Sequence, residues 1–342
     1  MNQPAAMKAG LAAPPGPPPL FFGAFDRHNF GDILLGHMAI HDAGVAAPRC
    51  AGLAECDLSA CGGFRVTPVD AITTPVTLIH VGGELLDCDA AEAAWMLGDS
   101  ALRWPRRAPY VIARNRLPAG SRTVFRALGG VGLARRGKAF RDEVLDALRQ
   151  ADALGVRDRV TQEFLAGEGI AAVLEPDPVS RIAAAFGARI APAAPVNAPY
   201  LAVQFAAEFG DDRSLAAIAR GLERSALPVV LFRAGAAPWH DDLAVYARLA
   251  QRLRVPVSLF ESLDVWRIAG LISGSRGFVG SSLHARIVAA AFGRPCLSLE
   301  RTAGSGAKLH AYLDTWLPDT AVWSPEGFAD ADAALLLPLG AG

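Results

Sequence analysis

A charge imbalance is missing from this sequence. Its 33 Lys and Arg offset 34 Asp and Glu, for a formal net charge of −1. Nothing electrostatic therefore argues for nucleic acid or an anionic membrane surface as a partner, although local arginine clusters can still bind small anions. No apolar run reaches the roughly 18 residues that span a bilayer, so no transmembrane segment is expected. Cysteine is scarce, with five at positions 50, 56, 61, 88 and 296. The spacing of Cys50, Cys56 and Cys61 does not fit a paired CxxC zinc site, and no metal is expected. An odd cysteine count in an enzyme-like chain reads as free thiols in a reducing compartment. The segment Met1 to Leu20 is rich in Ala and Pro and lacks the apolar core of a signal peptide. Residues 1–19 read as a disordered tail on a cytoplasmic protein.

What is present is hydrophobicity. Of 342 residues, 52% are hydrophobic and 20% charged, enough for a large core and for two domains of ordinary size. Short apolar runs alternate with helical spacing. Strands are expected at Leu20 to Ala24, Val76 to Val81, Tyr110 to Ala113 and Ala153 to Arg157. Helices are expected at Ile33 to Asp42, Ala90 to Leu97, Phe140 to Leu148 and Arg159 to Ala166. A Pro/Ala-rich stretch at 191–199 reads as a linker. The pattern then restarts, with strands at Tyr200 to Phe205, Pro228 to Phe232, Val257 to Phe260, Gly277 to Val279 and Cys296 to Leu299, and a helix near Lys308 to Leu313. This alternation predicts an α/β fold of two Rossmann-like domains with parallel sheets, one over 20–190 and one over 200–342. Such pairs bind ligand in the cleft between them, at the carboxyl ends of the strands.

The most informative motif is Ser281-Ser282-Leu283-His284, which follows the glycine ending a buried strand. It puts a histidine and several backbone N–H donors at one helix N-terminus, suited to an anion and to proton transfer. In the first domain, Asn29 and Gly31 suit a tight turn and Asp32 a helix N-cap. Beside them, His28 and Asn29 either offer hydrogen bonds to a substrate or belong to plain strand-to-helix punctuation. Gly82 and Gly83 end another buried strand, permitting close approach of a ligand, and Glu84 is either a catalytic acid, a sugar-hydroxyl acceptor or a solvated carboxylate. The turn is not GxGxxG, so a dinucleotide is not implied. Arg157 at a strand end can grip a carboxylate or phosphate, or pair with Asp158 or Asp177. Arg286 and Lys308 are either further anion anchors or ordinary charges. His37 and His41 lie four apart on a helix, but Met38 stands where a zinc protease has Glu, so they read as a helix face.

Taken in order, these motifs resemble the polysaccharide pyruvyl transferase family from about Phe21 to Leu313. The match rests on Asn29 to Asp32, Gly82 to Asp87, Arg157-Asp158 with Thr161 and Leu165, Pro176 to Pro178, and the Ser-x-x-His block with Ala289, Gly293 and Pro295, followed by Lys308. The resemblance implies a GT-B-like architecture. It also implies transfer of a pyruvyl group from phosphoenolpyruvate to two sugar hydroxyls as a cyclic ketal, with no cofactor beyond that donor. His284 is then the acid–base group. Arg157, Ser281 and Ser282 hold the anion, and Arg286 and Lys308 are secondary anchors. Two positions depart from the family: Leu283 replaces a frequent Arg, removing a carboxylate anchor, and Glu84 replaces a third glycine, adding negative charge. A nucleotide-sugar glycosyltransferase, or an inactive binding protein of a polysaccharide pathway, suits the same cleft. Oligomeric state and association with the inner face of the membrane stay open.

Overall fold

The computed structural model describes residues 16–193, 195–237 and 240–331. Most of the expected tail (1–15), Ala194 of the expected linker, and residues 332–342 lie outside the described residues. The first sheet is built from β1 (Pro19–Phe22), β2 (Arg49–Gly52), β3 (Cys56–Asp57), β4 (Arg65–Pro68), β5 (Thr77–Val81), β6 (Arg122–Leu128), β7 (Ala153–Val156) and β8 (Val173–Leu174). Its order is β3-β4-β2-β1-β5-β6-β7-β8. All pairings are parallel except the edge pair β3/β4. Helices α1 (Phe30–Ala43), α2 (Ala90–Met96), α3 (Lys138–Arg149), α4 (Arg159–Gly167) and α5 (Ile182–Phe186) accompany it.

The second sheet contains β9 (Leu201–Gln204), β10 (Val229–Phe232), β11 (Val257–Phe260), β12 (Gly277–Gly280), β13 (Cys296–Leu299) and β14 (Val322–Trp323). Its order is β11-β10-β9-β12-β13-β14, parallel throughout. Helices α6 (Asp212–Glu223), α7 (Leu243–Ala250), α8 (Val265–Gly274), α9 (Leu283–Ala291), α10 (Ala307–Trp316) and α11 (Pro325–Asp330) belong to this half.

Strand alternation sorts side chains onto opposite faces. Phe21 faces a central cluster while Leu20 and Phe22 face an outer one. Likewise Ala202 faces the centre, and Leu201 and Val203 the far side of the second sheet. The central cluster joins α1 and α5 to α8, α9 and α10, so the two halves share one continuous apolar core. Burial of this kind contributes about 25 cal/mol per Å² of apolar area, which fixes α1 and α9 against one another.

Three expectations need correction. Tyr110 to Ala113 is not a strand. Tyr110 to Ile112 are buried, but the Ile112 N–H donates to His80 Nε2 and the Val111 N–H to the Ala108 carbonyl, so neither enters a ladder. The strand in that part of the chain is β6, whose arginines 122 and 126 alternate with buried Thr123, Phe125 and Ala127. Helix α1 starts three residues early, because Asn29 rather than Asp32 is its N-cap: Asn29 Oδ1 accepts from Gly31 and Asp32 N–H. And the second sheet continues past β13 into β14, with α11 following it.

Candidate active site

The carboxyl ends of β5, β7 and β12 converge on His284. Ser282 caps α9, its Oγ accepting from the Ala285 N–H at 3.3 Å, which puts His284 in the first turn as expected. The His284 ring lies against Gly31 of α1, where an added Cβ would sit 2.0 Å from Nδ1. Only glycine lets the two helix N-termini meet in this way.

His284 Nε2 faces the Asp177 carboxylate, with 3.3 Å between Nε2 and Oδ2. The side chain of Asp177 is fully buried, and its Oδ1 caps a short turn by accepting from the Val179 N–H. Burial would raise the Asp177 carboxyl. His284 and Arg157 outweigh that and hold it below the ordinary value, so it stays a carboxylate able to orient the imidazole. With Nε2 turned to Asp177, Nδ1 is the nitrogen on the Gly31 side of the ring.

Arg157 extends the chain of charges. Its Nη2 donates to Glu84 Oε2 at 2.6 Å and its Nη1 lies 3.6 Å from Asp177 Oδ2. Burial works against the guanidinium, but Glu84 and Asp177 prevail and raise its pKa. The residue is 2% exposed, so its first role is to join two carboxylates. Glu84 in turn accepts from the Val131 N–H at 2.7 Å. The negative charge that Glu84 adds to the glycine-rich turn is therefore matched by Arg157. Three buried atoms at this junction have no hydrogen-bond partner of good geometry: Arg157 Nη1, Asp177 Oδ2 and His284 Nε2. Helix α10 closes the site from the second half, where Trp316 Nε1 donates to the Arg157 carbonyl at 2.7 Å and Thr315 Oγ1 accepts from the Arg159 N–H at 3.0 Å.

The remaining expected residues fall into place differently. Gly82 and Gly83 have φ of 41° and 80°. A Cβ on Gly82 would meet Leu35 at 2.7 Å and one on Gly83 would meet Asp32 Oδ1 at 3.0 Å, so the close approach they permit is to α1. Ser281 Oγ accepts from the Ala206 N–H, and the Ser282 N–H donates to Gln204 Oε1 at 2.9 Å. Gln204 thus occupies one of the expected donors, leaving the first-turn N–H groups of Leu283 and His284, which have no intrahelical acceptor. His28 Nε2 contacts the Leu263 carbonyl at 2.7 Å, linking the halves. Burial lowers its pKa, with Arg233 and His240 adding to the effect. Arg286 is buried and bonds Ser298 Oγ at 2.8 Å, a contact within its own half, while Lys308 is exposed on the first turn of α10. His37 contacts the Gly62 carbonyl and packs on Phe64 and Trp266, and burial pushes it down to about 4.

Sequence reading missed three contributors. Asp177 was seen only as a partner for Arg157, not for His284. Gln204 carries no motif. Arg27, beside the β1 end, pairs with Tyr110, Asp26 and Asp32. Its adjacency to the Asn29 turn was the available signal.

The fold agrees with known proteins that the chain resembles. No curated protein matches it by sequence. Among solved structures, Staphylococcus aureus MnaA with UDP aligns with a TM-score of 0.54 and 13% identity, over 95% of this chain and 90% of that one. UDP-GlcNAc 2-epimerase from Methanocaldococcus jannaschii aligns with a TM-score of 0.53 and 10% identity, over 94% and 90%. These likenesses show a GT-B-like pair of α/β domains. The profile of the family described as polysaccharide pyruvyl transferase matches residues 55–302, a span that includes Glu84, Arg157, Asp177 and His284. The chain therefore belongs to the polysaccharide pyruvyl transferase family.

Proposed function

We propose that this chain transfers a pyruvyl group from phosphoenolpyruvate to two hydroxyls of a saccharide, closing a cyclic ketal. The observation that carries the reading is the buried His284–Asp177 pair at the start of α9, in a chain of this family. Phosphoenolpyruvate needs a proton at its methylene carbon, which generates positive character at C2. A sugar hydroxyl adds there, phosphate departs and a second hydroxyl closes the ring. A positioned acid–base group is typically worth 10²–10⁴-fold in such transfers. His284 Nδ1 is that group, with Asp177 holding the ring and stabilising its protonated form. Arg157 positions Asp177 and offers its buried, unpartnered Nη1.

The first-turn N–H groups of α9 receive the donor's phosphate or carboxylate, with the α9 dipole in support. Ser281 and Ser282 shape that turn, and Lys308 and Arg286 contribute positive potential from the second half. Asn29, Asp32 and His28 line the first-domain side, above Gly82, Gly83 and Glu84. The donor is consumed as a substrate, and no cofactor is required. Among the described residues no helix is long and apolar enough to cross a membrane, and the proposed place of action is the cytoplasm, on a precursor presented at the inner membrane face.

The competing reading takes a nucleotide sugar as donor, since S. aureus MnaA was solved with UDP. Calorimetry separates them. Phosphoenolpyruvate should bind wild type and His284→Gln alike, with turnover lost in the variant. Binding of UDP but not phosphoenolpyruvate would favour the nucleotide sugar.

A further inference from the structure

A second histidine–aspartate pair stands across the same cleft. His240 Nδ1 bonds Asp241 Oδ1 at 2.6 Å, and the Asp241 side chain is fully buried. Asp241 is tightly held: its Oδ2 accepts from the Ala234 N–H at 2.6 Å and from the Gly235 N–H at 3.3 Å. Its Oδ1 also accepts from Gln204 Nε2 at 2.9 Å. Gln204 is the residue whose other end receives the Ser282 N–H at the α9 cap. One hydrogen-bonded path thus runs from His240 to the turn that carries His284.

The strand order places these groups. β10, which leads to His240, and β12, which leads to His284, flank β9 on either side. Two strand spacings separate the ends of β10 and β12 by about 10 Å. The His284 ring packs on the turn that opens α1, and the His240 ring packs on Gly235, whose backbone pairs with that turn. His284 lies over Gly31, and His240 over Gly235, where an added Cβ would fall 2.4 Å from the ring. Gly235 pairs with Asn29, and the Phe30 N–H donates to the Ala234 carbonyl. His284 thus touches this turn directly and His240 adjoins it through Gly235, each imidazole backed by a buried carboxylate.

The reaction proposed above has two proton demands. Two C–O bonds form at C2 of the donor, and the C2–O bond to phosphate breaks. Two hydroxyl protons are released: one is accounted for on C3, which becomes a methyl group, and the other leaves with phosphate. The two hydroxyls approach C2 at different stages, so one fixed imidazole is poorly placed for both. We propose that His240, oriented by Asp241, is a second acid–base residue of this site, serving one hydroxyl while His284 serves the other proton transfers. The inference rests on the pyruvyl-transfer reading. The bond from Nδ1 to Asp241 makes Nε2 the basic nitrogen. Among the charged and titratable groups around His240 are Asp241 from its own loop, which bonds Nδ1, and His28, on which its charge acts.

The test uses the full chain with phosphoenolpyruvate and a panel of p-nitrophenyl hexopyranosides as acceptors, reading phosphate release and product mass. In His240→Asn the amide nitrogen takes the place of Nδ1 against Asp241, so a merely structural role survives. The expected result is a drop in kcat of about 100-fold or more, with unchanged phosphoenolpyruvate binding and melting temperature. One ionisation should also vanish from the pH profile of kcat. An active His240→Asn with the wild-type pH profile would overturn this proposal and leave the pyruvyl-transfer reading standing. No pyruvyl transfer by wild type, to any acceptor, would overturn that reading and this proposal with it.

Discussion

Replacing Gly31 with Ala should separate activity from stability. The added Cβ would lie 2.0 Å from His284 Nδ1, 2.4 Å from Cγ and 2.7 Å from Cε1. Carbon and nitrogen at rest need about 3.5 Å, so the ring must retreat by about 1.5 Å or α1 must move away from α9. Either shift disturbs the 3.3 Å approach of Nε2 to Asp177. A misplacement near 1 Å at a reacting group can cost about 10²-fold in rate, and kcat/KM should fall by that order. Stability should change far less. Ala gains up to about 1 kcal/mol of helix propensity over Gly, while overpacking costs about 1–3 kcal/mol. The net loss of about 0–2 kcal/mol would lower the melting temperature by only a few degrees. The assay is phosphate release from phosphoenolpyruvate alongside thermal melts, with Gly137→Ala as control, since a Cβ there meets nothing within 4 Å. A Gly31→Ala enzyme with wild-type kcat/KM would refute the packing argument for His284.

Arg157→Ala should destabilise by about 3–5 kcal/mol, because it strands Glu84 and Asp177 in the interior; urea unfolding reads this, and a neutral variant would deny the ion pairs their role. Asp87 ionises near 3.8 when unfolded, but burial and Glu84 push it up to about 7 in the folded chain. The folded state then holds the extra proton, so this group's contribution to stability is lost as pH rises between those values. Asp87→Asn should accordingly gain stability over wild type at pH 8 but not at pH 4, and equal differences at both would contradict the assignment. Ser282→Ala removes the α9 cap and should cost about 1 kcal/mol, with activity falling further than the melting temperature implies.

Local features were legible in the sequence; long-range pairings were not. The glycine at the end of β12 and the serines after it announced α9, so His284 was placed in its first turn from residues alone. Apolar runs bounded by glycine and proline marked β1, β5, β9 and β10 for the same reason. β6 was hidden because Arg122 and Arg126 interrupt its apolar character, while the buried Tyr110 to Ile112 imitate a strand without joining a ladder. Asn29 and Asp32 both suit a cap, and only the observed turn shows that Asn29 Oδ1 takes the two N–H groups. Arg157 reads from sequence as a ligand anchor or a partner of Asp158 or Asp177, and Glu84 as a loop carboxylate, with nothing to join the two. That each answers the other is a property of β5 and β7 both ending beside one site, which no spacing along the chain encodes. The partnership of Asp177 with His284 likewise depends on how the two halves meet.

The central claim is that His284 drives pyruvyl transfer from phosphoenolpyruvate. Its most direct test is to incubate the protein with donor carrying carbon-13 at C2 and the hexopyranoside panel, then record the carbon NMR spectrum. The account predicts a labelled quaternary ketal carbon on an acceptor with wild type and none with His284→Gln. Unlabelled acceptors with wild type, or equal labelling by His284→Gln, would contradict it.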